Sequence, residues 1–418
     1  MTVEAERRAP PSTRRLRFLA IIAVFGPGLI AGLSDDDPAG ITTYSVLGAK
    51  FGYQMLWVLA ISTVALIMFH TLGARMGIVT GQGLAGLIRQ RYGVRAGMVA
   101  ITALLLANLG TTCAEFAGIA AGFELFGIPR YLSVPAGAVA VSALVLNGGF
   151  RGVERVMLLL TTVFIAYIAA GFLAHPDWGA AARGLVVPTM PLTRDAVAMA
   201  TATVGTTLAP WGLAFIQSYA LDKRLTVDDL RYVKYDAVSG AVLTGVIGFF
   251  VVISCAATLH VHHLSIDSAA DAAVALRPLA GDLAAKLFGV GLIGAALLAA
   301  SILPLSTAYS VSEVAGRPAA LNDTFRQAPL FYATFGVVTV ISASLVLIPG
   351  APLIAILVLS QVLNAVLLLP ILGFMYGMCR DRDLMGVHRV GRAAAAPYFV
   401  AIVLIGACVV LLGVLSFG

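Results

Sequence analysis

The segment 26–44, GPGLIAGLSDDDPAGITTY, constrains this chain most, because it places acids inside an apolar run near the N-terminus. Asp35, Asp36 and Asp37 are consecutive and are followed by Pro38. An acid at the centre of a bilayer costs roughly 2.5–3.5 kcal/mol, so three of them must face water, a cation or protein. Proline removes a backbone donor and disfavours helix at the preceding residue. The segment therefore predicts a broken membrane helix whose carboxylates and freed carbonyls form a site for a hard cation.

The remainder of the chain is typical of a polytopic membrane protein. Of its 418 residues, 60% are hydrophobic and 11% are charged, whereas soluble domains carry about a quarter charged residues. Apolar runs of about 20 residues are long enough to cross a bilayer as helices. Eleven such runs, called spans 1 to 11 here, lie at 17–49, 54–73, 96–123, 131–147, 155–174, 195–221, 237–259, 285–312, 330–349, 351–378 and 394–417. The predicted fold is therefore all-α, with 11 transmembrane helices.

The basic residues predict how the chain is oriented in the membrane. With the N-terminus inside, 21 of the 27 lysines and arginines fall in cytoplasmic segments, as the positive-inside rule requires. Residues 1–16 are then a cytoplasmic tail and the C-terminus lies outside. The net charge of +6 reflects this topology, so no nucleic-acid partner is predicted. We expect a multi-pass protein of the plasma (inner) membrane.

Span 6 contains a second interruption. Gly205 and the pair Pro210-Trp211 lie in its middle, where they should open the helix as Pro38 does in span 1. Breaks in the first and sixth of ten spans are typical of an inverted five-plus-five repeat that holds its substrate between them. The prediction is a transporter core over 17–378, with repeats at about 17–174 and 195–378, and an additional helix at 394–417.

The run 26–58 resembles the start of the NRAMP family of divalent-metal transporters. In that family an Asp-Pro-Gly-Asn motif preceded by Gly-Pro-Gly interrupts the first helix. Here the motif reads Asp37-Pro38-Ala39-Gly40, so the metal-binding aspartate is present and glycine replaces the asparagine. The family's Met-Pro-His motif in span 6 reads Ala209-Pro210-Trp211. The resemblance implies a leucine-transporter-type fold that lacks the soft methionine ligand.

Two further segments extend the resemblance. The run 107–116 in span 3 is similar to the family segment that carries an aspartate and a glutamate three residues apart, but only Glu115 is kept and Thr112 replaces the aspartate. Residues 359–362 in span 10 resemble the segment whose glutamine, Gln361 here, approaches the metal. In proton-coupled members the span 3 aspartate and the span 6 histidine are implicated in proton movement. Thr112 and Trp211 stand at those positions and do not titrate near neutral pH.

The metal-site positions implied by the breaks and the resemblance are Asp36, Asp37, Gly40, Thr206, Ala209 and Gln361. Four of them have alternative interpretations. Asp36, like Asp35, could enlarge an acidic vestibule, coordinate through water or pair with another group instead of binding the metal directly. Asp37 could cap the outer half of span 1, Thr206 could serve helix packing instead of offering its carbonyl, and Gln361 could join helices through its amide. Glu115 is a candidate for proton transfer or for pairing with a basic residue.

Carboxylate, carbonyl and water ligands suit Mg²⁺ and Mn²⁺, whereas methionine favours softer ions. Mg²⁺ tends to keep several waters, and the chain looks like the NRAMP-related magnesium transporters. We expect uptake of Mg²⁺ or Mn²⁺ by alternating access without tight proton coupling, and no enzymatic activity or cofactor. The alternatives are a proton-coupled Mn²⁺/Fe²⁺ symporter and an organic-solute symporter of the same fold. The expected partners are divalent cations and the lipid bilayer, and no oligomeric state is predicted.

Overall fold

The computed structural model describes residues 36–146, 165–317 and 325–417, and the regular structure within them is helical throughout. The α-helices are α1 Pro38–Phe51, α2 Leu56–Thr80, α3 Leu84–Glu124, α4 Arg130–Leu146, α5 Ala166–Leu173, α6 Trp178–Val186, α7 Arg194–Thr207, α8 Pro210–Asp222, α9 Leu230–Cys255, α10 Ala269–Ala273, α11 Arg277–Ala280, α12 Ala284–Ala315, α13 Pro329–Val346, α14 Leu353–Cys379, α15 Arg382–Met385 and α16 Arg392–Phe417. A π-helical turn, Ala256–His260, follows α9, and 3₁₀ turns lie at Val227–Asp229, Val274–Leu276, Gly281–Leu283 and Gly386–His388.

Eight helical segments among the described residues are long and apolar enough to cross a membrane. They correspond to spans 2, 3 and 6 to 11, and α4, with 17 residues, corresponds to span 4. Spans 1 and 5 are represented by α1 and α5, since residues 17–35 and 155–164 lie outside the described residues. The prediction of an all-α polytopic membrane protein is confirmed.

Helix α3 is longer than span 3 because it begins 12 residues earlier. Its 41 residues are interrupted at Gly93, whose backbone has φ 87° and ψ 178°. A positive φ of this kind is strained for residues with a Cβ and is readily adopted by glycine. The residues before Gly93 thus form a short arm that changes direction before the helix enters the core.

The described residues contain the second predicted interruption in full and the C-terminal side of the first, because residues 17–35 of span 1 lie outside them. Helix α1 begins at Pro38, and the two residues before it are not helical. In span 6, α7 ends at Thr207, Leu208 has non-helical dihedrals (φ −119°, ψ 67°), and α8 begins at Pro210. The Thr206 carbonyl would normally accept the N–H of residue 210, but proline has none, so this oxygen is left without its helical partner.

The helices around these breaks form the protein core. Helix α3 packs mainly against α12 and α14, and α1 packs against α7, α9 and α14. In the segment formed by α7 and α8, 94% of the most apolar 18-residue stretch is buried, whereas in α16 only 6% of the corresponding stretch is buried. Helix α16 therefore lies at the periphery, with most of its surface available to lipid.

Candidate metal site at two helix breaks

Asp37 is the N-cap residue of α1. Its backbone is extended (φ −77°, ψ 170°), and its Oδ1 accepts a hydrogen bond from the Gly40 N–H at 2.5 Å. Pro38 occupies the first helical position, which suits a residue without an N–H. Asp37 therefore does cap α1, as the alternative interpretation of this residue expects. Capping fixes the direction of the carboxylate, and an acceptor-only group with two oxygens retains capacity for a second partner.

Asp36 is completely buried beside Asp37. Neither of its carboxylate oxygens has a hydrogen-bond partner within the described ranges. Removing a charge from water is expensive unless a counter-charge or hydrogen bonds compensate for it. A cation shared with Asp37 would supply that compensation, so the structure gives Asp36 a stronger place in the site than its position in the sequence does.

Glu115 reaches the break in span 1 from α3. It is completely buried and interacts with the Asp37 carboxylate, although no hydrogen bond of good geometry joins them. The approach depends on Gly118, one turn further along α3. A Cβ at Gly118 would lie 2.4 Å from the Cβ of Pro38. The buried carboxylates of Asp36 and Glu115 therefore each interact with that of Asp37 at the start of α1.

The break in span 6 lies directly against α14. A Cβ at Gly205 would come within 1.9 Å of the Gln361 carbonyl oxygen and 2.7 Å of the Ala365 nitrogen. The Gln361 side chain is buried; its Nε2 donates to Ser360 Oγ at 3.0 Å, and its Oε1 accepts from Asn364 Nδ2 at 2.9 Å. Both partners lie in α14 itself, so these hydrogen bonds do not join two helices, and the Gln361 Oε1 retains a lone pair.

A hydrogen bond connects the two broken helices. The hydroxyl groups of Tyr44 in α1 and Thr207 in α7 are 2.9 Å apart. Tyr44 is one turn after Gly40, and Thr207 directly follows Thr206. Gly40 and Thr206 are both buried, so these two predicted positions lie in the same interior region.

The two substituted positions carry no titratable side chain and are buried. Trp211 packs with Ala209 and Phe215 against apolar residues of α12, and the Trp211 and Phe215 rings are 6.2 Å apart. Thr112 is completely buried in α3, and its hydroxyl has no hydrogen-bond partner in the part of the chain that the structure describes. Trp211 therefore fills apolar space at the position where the NRAMP motif that the chain resembles has a histidine.

A buried polar network near the site was not predicted from the sequence. Asn364 Nδ2 donates to Thr111 Oγ1 at 2.9 Å, and Asn108 Nδ2 donates to Thr307 Oγ1 at 2.7 Å. Asn108, Thr111 and Glu115 recur at helical spacing along one side of α3. A usable signal was present in the sequence, since Gln361 and Asn364 are amides three residues apart in an apolar span.

The structure does not bring every predicted residue into direct contact. It joins Asp36, Asp37 and Glu115 at the first break, and Gly205, next to Thr206, to Gln361 at the second. Within residues 36–146, 165–317 and 325–417, no group of three or more His, Cys, Asp or Glu side chains is arranged to hold a metal ion. A cation here would combine carboxylate oxygens with amide, carbonyl or water oxygens, which is the donor set that suits Mg²⁺ and Mn²⁺.

Comparisons with known proteins agree with this architecture. The profile of the family described as "Natural resistance-associated macrophage protein-like" matches residues 28–415. The chain is 29% identical over 403 residues to the divalent metal cation transporter MntH of Granulibacter bethesdensis, covering 93% of this chain and 87% of that protein. It is also 29% identical over 393 residues to MntH of Yersinia pestis, covering 91% of each.

Solved structures confirm the fold. A structure of the manganese transporter of Eremococcus coleocola superposes with a TM-score of 0.77 at 18% identity, covering 98% of this chain and 88% of the other. Mhp1, a nucleobase-cation-symport-1 family transporter, gives a TM-score of 0.59 at 15% identity, covering 93% and 90%. The predicted leucine-transporter-type arrangement, with broken helices in spans 1 and 6, is confirmed.

Proposed function

Since the chain belongs to the natural resistance-associated macrophage protein-like (Nramp) family, we propose that it takes up divalent metal cations across a membrane by alternating access. Relatives that match more than nine-tenths of the chain are named divalent metal cation transporters. The observation that supports this proposal best is the burial of Asp36, Asp37 and Glu115 together at a helix break. Buried carboxylates at this spacing need bound cations or protons to neutralise them, and a divalent cation would neutralise two at once.

In this proposal the carboxylate of Asp37 is the principal ligand and Asp36 enlarges the acidic site. The Thr206 carbonyl, which lacks its helical partner, and Gln361 Oε1 provide neutral oxygens from the second break. Gly40 and Ala209 contribute by their small size, because they leave space that retained water molecules can occupy. This donor set has no thioether or thiolate, which favours Mg²⁺ or Mn²⁺ over softer ions.

We further propose that transport is not tightly coupled to protons. Thr112 and Trp211 replace the titratable residues of proton-coupled relatives, and a proton path needs successive titratable groups or waters within hydrogen-bond reach. A divalent cation moving down 100 mV gains roughly 4.6 kcal/mol, twice the single-charge value. The membrane potential alone is therefore sufficient for accumulation.

Proton-coupled Mn²⁺ or Fe²⁺ symport is the alternative, and the contact between Glu115 and Asp37 favours it. Two buried carboxylates in contact repel each other when both are charged. A proton on Glu115 would relieve that repulsion and could leave as a cation binds.

Uptake into proteoliposomes tests both proposals. Mg²⁺ and Mn²⁺ should enter faster than Ca²⁺, and their uptake should speed up when the inside of the vesicle is made negative. A pH-sensitive dye inside the vesicles should report no acidification during this uptake. If no divalent cation enters faster than into protein-free vesicles, the transport proposal is wrong. Acidification that follows metal concentration and disappears in Glu115→Gln would establish the symporter instead.

Ion selectivity should shift toward softer ions when the two missing family ligands are restored. The double variant Ala209→Met and Gly40→Asn supplies a thioether and an amide that compete with retained water. The ratio of Cd²⁺ to Mg²⁺ uptake is expected to rise by about tenfold, which corresponds to roughly 1.4 kcal/mol. Ala209→Leu with Gly40→Asn is the matched control, since leucine has a similar volume and no sulfur. Equal ratios in the two double variants would mean that the sulfur does not set selectivity.

We also propose that residues 17–378 form the transporter core and that the helix in span 11, at 394–417, lies outside it. The small buried share of α16 supports this division. The chain is a multi-pass membrane protein, and the charge distribution supports a plasma (inner) membrane location with a cytoplasmic N-terminus.

A further inference from the structure

An arginine-rich cavity lies at the end of the molecule that the charge distribution assigns to the cytoplasm, away from the two helix breaks. It has a volume of about 670 Å³ and is formed where α3 begins, where α14 ends and where α16 begins. Its lining includes Arg91, Arg380, Arg389, Arg392 and a single acid, Asp381. Four arginines against one aspartate make this cavity strongly positive, which favours an anion.

The single acid is already paired. Asp381 Oδ2 accepts from Arg91 Nε at 2.5 Å, and Asp381 Oδ1 accepts from the Asp383 N–H at 2.9 Å. Although burial acts to raise it, these hydrogen bonds and the Arg91 charge hold the pKa of Asp381 below its usual value. Asp381 therefore stays ionised and neutralises one arginine, and the charges of Arg380, Arg389 and Arg392 remain for a ligand.

The surrounding packing holds the cavity in shape. The Tyr92 hydroxyl fills the space that a Cβ of Gly377 would occupy, and the Tyr92 and Phe374 rings are 5.3 Å apart. On the opposite wall, the Val390 N–H donates to the Cys379 carbonyl at 2.8 Å. This bond brings the segment with Arg389 and Arg392 back against the end of α14.

Exposed apolar side chains follow the cavity-lining residues along two of the same helices. Tyr92, Val94 and Met98 on α3 are 43%, 62% and 53% exposed, and Phe399 on α16 is 53% exposed. Helix α14 packs against both α3 and α16, so the exposed apolar side chains of α3 and α16 lie on helices that flank one helix of the cavity. An anion bound here would have its charged group among arginines and apolar surface directly beside it.

The geometry points to a binding site for the phosphate of an anionic phospholipid headgroup, with the acyl chains lying along α3, α14 and α16. Guanidinium groups match phosphate oxygens with paired hydrogen bonds, and basic pockets at the cytoplasmic ends of membrane helices bind anionic headgroups. A free phosphate compound shares the headgroup chemistry but would not use the apolar surface.

Native mass spectrometry of the purified full-length protein in detergent tests this site. Phosphatidylglycerol should be retained by the wild-type protein more than phosphatidylcholine. The double variant Arg389→Gln with Arg392→Gln should weaken phosphatidylglycerol binding by roughly tenfold or more, as expected for lost charge-assisted hydrogen bonds. Arg382→Gln is the matched control, because this exposed arginine lies in the same segment and outside the cavity lining. The control should bind phosphatidylglycerol like the wild type.

Further arms separate the sources of phosphate and guard against misfolding. Arg389→Lys with Arg392→Lys keeps both positive charges and should retain most of the phosphatidylglycerol binding. Because this variant changes the side chains and not the charge, it tests the site even when the glutamine variant is poorly folded. Inorganic phosphate at millimolar concentration should not displace phosphatidylglycerol. Displacement by inorganic phosphate would overturn the lipid assignment, and equal retention of the two lipids, or unchanged binding in the glutamine double variant, would overturn the site.

Discussion

Replacing Asp37 by asparagine is expected to reduce cation uptake to background while the protein stays folded. Asparagine is as good an N-cap residue as aspartate, so it preserves the bond to the Gly40 N–H that orients the start of α1. It removes the charge that the proposed site requires. Loss of one partner from a buried charged contact typically costs 3–5 kcal/mol, so metal affinity should fall on the order of 100-fold or more. Mn²⁺ uptake by monodisperse protein in proteoliposomes measures the effect.

A second aspartate separates capping from binding. Asp177 caps α6 through the same interaction, since its Oδ1 accepts from the Ala180 N–H at 2.9 Å, but it lies far along the chain in an exposed segment. Asp177→Ala should remove a cap and leave uptake near the wild-type rate. If Asp37→Asn also transports normally and only Asp37→Ala fails, Asp37 is a structural cap and the proposed ligand assignment is wrong.

Gly205→Ala is expected to destabilise the protein and to abolish uptake, although alanine usually stabilises a helix relative to glycine by about 0.5–1 kcal/mol. The new methyl group would meet the Gln361 carbonyl oxygen and the Ala365 nitrogen, both backbone atoms of α14. Backbone cannot rotate away as a side chain can, so α7 and α14 must separate. Overpacking of this kind costs about 1–3 kcal/mol and sometimes more.

The midpoint of thermal unfolding, followed by intrinsic fluorescence in detergent, should therefore fall in Gly205→Ala. Gly373→Ala in α14 is the matched control, because a Cβ there meets no atom within 4 Å. The control should unfold at the wild-type temperature or above it and should transport normally. Equal midpoints for the two variants would show that α7 and α14 are not held together at this glycine.

The fold was predictable because a bilayer restricts the available structures. Asp37 and Pro38 in an apolar run predicted the first interruption, and Pro210 predicted the second, since the missing N–H acts locally. The burial of the proposed metal-site residues, among them Asp36 and Gln361, also follows from apolar spans that surround polar residues.

Contacts between helices were harder to predict from the sequence, because they depend on which helix faces pack against each other. Nothing local indicates that Gly118 admits Pro38 or that this brings Glu115 to Asp37. Arg91 lies about 300 residues before Arg389 and Arg392 along the chain. Taken separately, these arginines indicate only the topology. The bend at Gly93 and the fold-back at Val390 bring them to one cavity.

The hydrogen bond between Tyr44 and Thr207 joins positions separated by 163 residues, one from each proposed repeat. It lies within two turns of both breaks, where each half-helix has lost the continuity that would hold its end in line. Together with the packing of α1 against α7, this bond couples the two half-helices directly, without involving the connecting loops. The two proposed repeats are therefore linked close to their breaks, and exchange of this bond for water would remove one of the contacts that make them move together.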